Sequence, residues 1–266
     1  MNKEWNYDSG AMDRDRHCVI VIALDKSGSM TRNSEAVYEA TIRFLEVLTE
    51  KNQGELDFEY RVVLMTFDNK VHILNHDGIP LPPENVLELF DHRDYICRGG
   101  TSLAAVFDHL DRLFSRREGG MLRHAHKGDA LPLTVFITDY MATDNQSSYE
   151  EARSRLLSNP FYQRSSRLCV FLGPEHKRRD AADLVGSDSS VIALDDDIVE
   201  MLAPVVISSS IIMADATHIG NSQKTPGEIG EEQRKRAADG AYAAAKLSDE
   251  ELEATVTELL NKKQQG

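Results

Sequence analysis

The chain has 266 residues, of which 41% are hydrophobic, and it carries a formal net charge of −14. This length accommodates one α/β domain with an appendage, and the acidic balance argues against a nucleic-acid partner, which requires a basic surface. No apolar run is long enough to cross a membrane and the first residues are polar, so we expect no membrane span, no signal peptide and a cytoplasmic location.

The three cysteines, Cys18, Cys97 and Cys169, have no C-x-x-C spacing, and their number is odd. Two of them lie in or beside predicted strands. This pattern favours buried free thiols over a disulfide or a zinc site.

Residues 1–16 show no periodicity and are predicted to form a polar leader, which is followed by a buried strand at residues 19–24. Asp25, Ser27 and Ser29 follow this strand at every second position. In an extended segment alternate side chains lie on the same side, so three oxygens can face one point beyond the strand's carboxyl end. Oxygen ligands of this kind suit a hard divalent cation.

The next segments predict a helix and two strands. Apolar residues recur at helical spacing between residues 37 and 48, and Ser34 is placed to cap this helix. The helix returns the chain for a right-handed parallel crossover. Residues 60–67 predict a second strand, and residues 71–74 predict an antiparallel edge strand.

Residues 75–100 are predicted to be a loop-rich cover with a short helix at residues 85–90. The segment ends in two glycines, which allow a sharp turn and a close backbone approach directly before Thr101. Apolar residues between 103 and 114 form the stripe of the following helix. Thr101 is therefore a candidate for the helix N-cap and also for a metal ligand.

Residues 133–138 form an apolar to mixed strand, as expected in the middle of a parallel sheet covered on both faces, and Asp139 follows it. Further predicted elements are helices at residues 150–157, 176–184 and 197–212 and strands at residues 168–172 and 191–194. This alternation predicts a doubly wound α/β sheet. Sites in such sheets form at the carboxyl ends of strands where the winding reverses, so we expect Asp25, Thr101 and Asp139 to converge there.

The composition changes at residue 214. A stretch rich in turn-forming residues leads to two predicted helices, residues 231–247 and 248–261, and the second opens with a capping box at Ser248. This pair could fold back on the main domain, serve as a partner-binding arm or be disordered. The predicted organisation is a leader at 1–16, a main domain at 17–213 and a linker with a helical extension at 214–266.

Three motifs in the main domain resemble those of von Willebrand factor A domains. The sequence DKSGS at residues 25–29 is similar to the family's D-x-S-x-S signature, RGGTSL at 98–103 to its G-G-T-x-L, and TVFITD at 134–139 to its strand ending in T-D. The five matched positions of the family's metal-ion-dependent adhesion site are Asp25, Ser27, Ser29, Thr101 and Asp139.

This resemblance covers about residues 17–213. It implies a Rossmann-like, mostly parallel six-stranded sheet with one antiparallel edge strand and helices on both faces. It also implies that the five side chains bind Mg²⁺, or Mn²⁺ or Ca²⁺, and that the cation accepts an Asp or Glu carboxylate from a partner protein. Gly28 is expected to leave space for that approach. Tyr140 stands where the family often has Gly, and its ring could crowd the rim of the site.

A narrower resemblance concerns the Ser-rich residues 205–211, which are similar to a final helix in TerY-like proteins. These are cytosolic von Willebrand A proteins of bacterial tellurite-resistance and related stress or defence operons. The resemblance implies a stress-response or defence role. It also implies a nearby-encoded serine/threonine kinase or metal-dependent phosphatase as partner.

Two other functions have less support in the sequence. Phosphatases of the haloacid-dehalogenase type need a second Asp two residues after the first, where this chain has Ser27, and no nucleophile elbow or phosphate-binding loop motif is present. Asp68 and Asp144 lie in predicted loops, but nothing marks either as a catalytic base, so we expect no enzyme activity. The other alternative is a scaffold that binds through residues 214–266 and has a structural metal domain. His124 and His126 are predicted to be solvated surface residues.

Overall fold

The computed structural model describes residues 16–53, 59–125, 129–186 and 190–194. The predicted leader before residue 16, the predicted helix at 197–212, the Ser-rich segment and the extension at 214–266 lie outside the described residues. His126 also lies outside them. The domain boundaries therefore stay predictions.

The described residues build one six-stranded sheet in the order β3-β2-β1-β4-β5-β6. The strands are β1 (His17–Asp25), β2 (Glu59–Phe67), β3 (Val71–Ile73), β4 (Leu133–Thr138), β5 (Ser166–Phe171) and β6 (Val191–Ala193). Neighbouring strands pair in parallel, except β2 and β3, which pair antiparallel. The predicted fold class is confirmed, including the antiparallel edge strand.

Within the described ranges, six α-helices surround this sheet. They are α1 (Ser34–Gln53), α2 (Pro83–Leu89), α3 (Leu103–Leu113), α4 (Gln146–Ser158), α5 (Pro160–Arg164) and α6 (Glu175–Val185). The prediction that Ser34 caps α1 is wrong, because a 3-10 turn at Gly28–Asn33 runs directly into the helix and the Ser34 hydroxyl donates to the Thr31 carbonyl. Among the described helices, none is long and apolar enough to cross a membrane.

The strand β1 lies in the middle of the core. Its alternate residues Ile20 and Ile22 join a buried cluster with α1 and α2, whereas Val21 and Ala23 join a second cluster with α3, α4 and α6. Burial on both faces explains why the sequence of this strand is continuously apolar rather than alternating. Cys18 and Cys169 are buried free thiols, as predicted, and Cys97 is a partly exposed free thiol.

The topology places the ends of β1 and β4 side by side. The two strands are parallel neighbours, with Leu24 paired to Ile137. The chain proceeds from β1 to β2 and β3 on one side, and then crosses to β4 on the other side. Asp25 and Asp139 therefore emerge at the same edge, at the point where the winding reverses.

Candidate metal-binding site

The first part of the site is the β1 loop, residues 25–33. The Asp25 carboxylate is fully buried, and its Oδ1 accepts the Ser27 N–H at 2.9 Å. The Tyr95 hydroxyl donates to the Asp25 carbonyl at 2.6 Å, which fixes the backbone at this point. The Oγ atoms of Ser27 and Ser29 are 3.1 Å apart. Three of the five predicted ligands thus come together in one short loop.

The second part is the glycine loop, residues 96–102, which contacts the β1 loop through its backbone. The Arg98 N–H donates to the Lys26 carbonyl at 2.9 Å, and the Gly28 N–H donates to the Gly99 carbonyl at 3.0 Å. A Cβ atom on Gly28 would lie 3.1 Å from the Gly99 oxygen. The missing side chain at Gly28 therefore permits this contact, while its expected role in admitting a partner stays a prediction.

Close packing also explains the glycine pair. Gly99 has a φ of 75°, in the left-handed region that glycine adopts readily. A Cβ atom on Gly100 would lie 2.7 Å from Thr143 Oγ1 and 2.8 Å from Asn69 Oδ1. The pair is thus packed between the turn after β2 and the loop after β4.

Thr101 is buried directly before α3. Its carbonyl accepts both the N–H and the hydroxyl of Thr143, at 2.8 and 3.1 Å. The N-cap of α3 is Ser102, whose Oγ accepts the Ala105 N–H. Because Ser102 takes the capping role, the Thr101 hydroxyl remains available. Within the described part of the chain it forms no hydrogen bond.

The third part is the β4 loop, residues 139–145. Asp139 is 6% exposed, and its Oδ1 accepts the Met141 N–H at 3.1 Å. The Thr138 hydroxyl, at the end of β4, donates to Asp25 Oδ2 at 2.6 Å and accepts the Tyr140 N–H at 2.9 Å. Thr138 thereby links the backbone that carries Asp139 to the Asp25 carboxylate.

Tyr140 does not crowd the rim of the site, contrary to the prediction. Its φ is 56°, in the left-handed region, which is the conformation that glycine adopts most easily at such a position. The side chain is 1% exposed and packs in the core cluster of α3 and α4. Its hydroxyl hydrogen-bonds the Tyr149 hydroxyl at 2.9 Å. The ring is therefore directed away from the rim.

The electrostatics of the site suit a divalent cation. The pKa of Asp25 is raised to about 6. Burial is the largest cause, hydrogen bonds from Thr138 and Ser27 oppose it in part, and the negative charge of Asp139 adds a smaller increase. Among the described residues, no Lys, Arg or His forms an ion pair with either acid. Two neighbouring acids are thus buried without a compensating charge, a costly arrangement that a bound cation would relieve.

The donor set is consistent with this reading. The five side chains offer two carboxylates and three hydroxyls, all of them oxygen donors, and such donors are the ligands of Mg²⁺ and Ca²⁺. In the described ranges no group of three or more His, Cys, Asp or Glu side chains is placed to hold a metal.

Sequence reasoning did not identify several residues that hold the site together. Tyr95 and Thr143 support it through hydrogen bonds, and Asp144 accepts both the Ser102 hydroxyl and the Ala104 N–H at the start of α3. The sequence motif T-D contains Thr138, but it does not indicate that Thr138 hydrogen-bonds Asp25. The other three carry no local sequence signal.

No family model and no curated protein sequence matches this chain. Solved structures do match it. A von Willebrand factor type A structure from Catenulispora acidiphila aligns with a TM-score of 0.50 and 15% identity, over 85% of this chain and 43% of that one. Proximal thread matrix protein 1 from the mussel byssus has a zinc-occupied metal-ion-dependent adhesion site (MIDAS) motif. It aligns with a TM-score of 0.52 and 15% identity, over 73% of this chain and 48% of that one. This chain thus spans less than half of either structure, and the likeness concerns the fold: the sheet and its helices have the architecture of a von Willebrand factor type A domain.

Proposed function

We propose that this protein is a divalent-cation-dependent protein-binding module. In this proposal Asp25, Ser27, Ser29, Thr101 and Asp139 hold Mg²⁺ or a similar ion, and an Asp or Glu carboxylate of a partner protein binds there. The observation that supports it most is the pair of neighbouring buried acids without a charge partner in the described ranges. They lie where two hydroxyl-bearing loops are tied together by backbone hydrogen bonds.

In this proposal the five residues and their neighbours have different roles. Asp25 and Asp139 supply two negative charges, which balance a divalent ion and no more, while the hydroxyls of Ser27, Ser29 and Thr101 are neutral donors. When bound, the cation would offer an electrophilic position to a carboxylate oxygen. Tyr95 and Thr138 hold the Asp25 backbone and carboxylate in place through hydrogen bonds of 2.6 Å each.

We propose binding without catalysis. The two acids considered as catalytic bases have structural contacts instead. Asp144 accepts hydrogen bonds from the start of α3, through the Ser102 hydroxyl and the Ala104 N–H. Asp68 Oδ1 accepts the Lys70 N–H within its own turn. Hydrolysis at a metal needs a positioned base, and these contacts favour a helix-capping role and a turn role.

The biological setting that we propose follows the narrower sequence resemblance. The protein would act in the bacterial cytoplasm in a stress-response or defence system of the tellurite-resistance type, with a nearby-encoded kinase or phosphatase as its partner. A protein partner is favoured over a nucleic acid because the chain has a net charge of −14.

A thermal-shift series tests the metal site. Millimolar Mg²⁺ or Mn²⁺ is expected to raise the Tm of the full-length protein by mass action, and Asp25→Ala is expected to remove this effect. Asp108→Ala, at an exposed position on α3, serves as the control and should keep it. A Tm that does not change over millimolar metal would contradict the site.

A pull-down with the nearby-encoded kinase or phosphatase, in Mg²⁺ and again in EDTA, tests the binding role. Capture in Mg²⁺ that is lost in EDTA and lost in Asp25→Ala is the expected result. Capture that persists in EDTA would contradict the proposal and favour binding through residues 214–266.

A further inference from the structure

Two exposed apolar side chains lie on the loops of the candidate site. Among the described residues, the large hydrophobic side chains with exposed surfaces are Ile96, at 49%, and Met141, at 40%. Single exposed apolar residues are common on protein surfaces. Here, however, one lies on the glycine loop and the other on the β4 loop, so both belong to the segments that carry predicted metal ligands.

Hydrogen bonds hold the backbone near both residues close to the two acids. The Met141 N–H donates to Asp139 Oδ1 at 3.1 Å. Ile96 directly follows Tyr95, whose hydroxyl donates to the Asp25 carbonyl at 2.6 Å. The Arg98 N–H, two residues after Ile96, donates to the Lys26 carbonyl at 2.9 Å. Met141 is therefore held beside the Asp139 carboxylate, and the backbone near Ile96 is held beside the residue that follows Asp25.

The two residues come from opposite sides of the sheet edge. Tyr95 packs in the core cluster of α1 and α2, and Tyr140 packs in the cluster of α3 and α4, on the other face of the sheet. Ile96 and Met141 each come immediately after one of these buried tyrosines. The two loops that carry the apolar residues are therefore packed, at these tyrosines, against opposite faces of the sheet.

The charges of the three site loops also bear on the partner. The loops contain Lys26, Arg32 and Arg98, and their three acids are Asp25, Asp139 and Asp144. If a bound cation balances Asp25 and Asp139, the one remaining acid is Asp144, which accepts hydrogen bonds from the start of α3, so the basic residues are in excess. Charge complementarity of this kind favours an acidic partner and disfavours others.

We propose that the partner's acidic residue lies in an exposed peptide segment with large apolar side chains on both sides of the acid, and that Ile96 and Met141 bind those side chains. The inference rests on the proposed function and adds the sequence character of the partner. The acid provides metal-dependent attachment, the basic residues select against cationic segments, and the two apolar contacts distinguish one acidic segment from another.

A displayed library of short peptides tests this inference. Each peptide has a central Asp or Glu with randomised neighbours, and the library is selected on the full-length protein in millimolar Mg²⁺ and, separately, in EDTA. The selection is repeated on the double variant Ile96→Ser/Met141→Ser and on the conservative control Ile96→Leu/Met141→Leu. The thermal shift with Mg²⁺ is measured for each variant to verify folding and metal binding.

We expect apolar residues on both sides of the acid to be enriched in Mg²⁺ with the unmodified protein and with the leucine control. The serine variant is expected to select acidic peptides without this apolar enrichment. It should bind the best peptide about tenfold more weakly by fluorescence anisotropy, which corresponds to about 1.4 kcal/mol.

Three results would overturn the inference. Selection of acidic peptides whose residues beside the acid are random would overturn the inference and would leave the proposed function standing. Apolar enrichment that persists in the serine variant would also do so. A Mg²⁺-dependent dimer weakened by Ile96→Ser would identify a second copy of the chain as the occupant instead. If no acidic peptide is selected in Mg²⁺, the proposed function itself fails.

Discussion

The β1 loop and the β4 loop each place one acid of the candidate site, but they are held in different ways. In the β1 loop, Asp25 accepts a hydrogen bond from Ser27 two residues later, and Thr31 donates to Gly28 three residues earlier. In the β4 loop, Thr143 bonds Thr101, which is 42 residues away. Both loops begin with the same local bond, because the Met141 N–H donates to Asp139 as the Ser27 N–H donates to Asp25, and both also have distant contacts. They differ in how they continue: the first runs into a local 3-10 turn, whereas the second is bonded to Thr101.

This difference explains why the first loop is recognisable as a five-residue motif, whereas the second is recognisable only by the T-D at its start. A local loop needs particular residues at fixed spacing, so its pattern is visible in the chain. A loop held by distant segments can keep its shape with many sequences. Tyr140 illustrates this, because its left-handed backbone is accompanied by a ring packed in the core.

The largest expected effect comes from Gly173→Ala, which disturbs the β4 loop from outside. A Cβ atom at Gly173 would lie 2.2 Å from the Asp139 carbonyl oxygen, so the backbone that carries Asp139 must move. We expect a loss of about 3 kcal/mol in the free energy of unfolding and a smaller thermal shift with Mg²⁺. Urea unfolding and the thermal-shift series measure the two effects.

Gly119→Ala is the matched control for this variant. Its φ is 77°, but nothing lies within 4 Å of the added Cβ atom. Only the backbone conformation opposes the side chain, at a cost of about 1 kcal/mol, and the Mg²⁺ shift should be unchanged. Equal losses of stability in both variants would show that the close approach of Gly173 to the Asp139 carbonyl does not contribute to the loss in Gly173→Ala.

Asp25→Asn separates stability from metal binding in the β1 loop. The carboxylate is buried beside Asp139, and its pKa is raised to about 6, so its charge destabilises the metal-free protein at neutral pH. An amide of the same shape removes this charge, but its NH2 group replaces one of the two oxygens that accept hydrogen bonds from Ser27 and Thr138. We therefore expect the free energy of unfolding in EDTA to rise by only about 1 kcal/mol. The same variant should lose the Mg²⁺ shift. Destabilisation in EDTA would mean that the hydrogen bonds to the Asp25 carboxylate outweigh the cost of its buried charge.

Tyr140→Phe tests the contact that directs the ring away from the site. It removes the hydrogen bond to the Tyr149 hydroxyl and keeps the packing. We expect a loss of about 1 kcal/mol with an unchanged Mg²⁺ shift, measured by urea unfolding in EDTA and by thermal shift. If the Mg²⁺ shift falls markedly, the ring also helps to position Asp139.

The smallest effect is expected from Asp91→Ala, which acts on the β1 loop indirectly. The side chain and backbone N–H of Arg93 lower the pKa of Asp91 to about 2, and Asp91 caps the 3-10 turn that carries Tyr95. Because the folded pKa is below the unfolded value of 3.8, this carboxylate contributes stability above pH 4, and the contribution is lost as the pH falls toward 2. Unfolding of both proteins between pH 2 and pH 7 should therefore converge at the acidic end. A constant difference across that range would contradict the assignment.

The sequence was sufficient to predict the fold, because the strands β1, β4 and β5 are continuous apolar runs and the helices between them have clear periodicity. Element ends were less accurate. The helix predicted at 150–157 begins at Gln146, since Asn145 caps it, and the one predicted at 85–90 begins at Pro83. Helix propensity and periodicity are judged over a whole helical turn, so they locate the first and last residues of a helix poorly.

The supporting contacts of the site could not be predicted in the same way. The hydrogen bonds from Tyr95 and Thr138 to Asp25 join residues 70 and 113 positions apart. Such pairs become neighbours only when the sheet is assembled. Their residue types, a tyrosine and a threonine, are also common in cores and strands for reasons of packing alone.

The hydrogen bonds of Thr138 have a direction, and this has a consequence for sequence design. The hydroxyl has one proton, which it gives to Asp25, and so its lone pairs are left to receive the Tyr140 N–H. Valine has the same shape and would satisfy every packing criterion at this buried strand end. It would nevertheless leave an Asp25 carboxylate oxygen and the Tyr140 N–H without the hydroxyl that they share. A design procedure that scores only volume and hydrophobicity would therefore break the link between Asp25 and the backbone that follows Asp139, and it would not detect the loss.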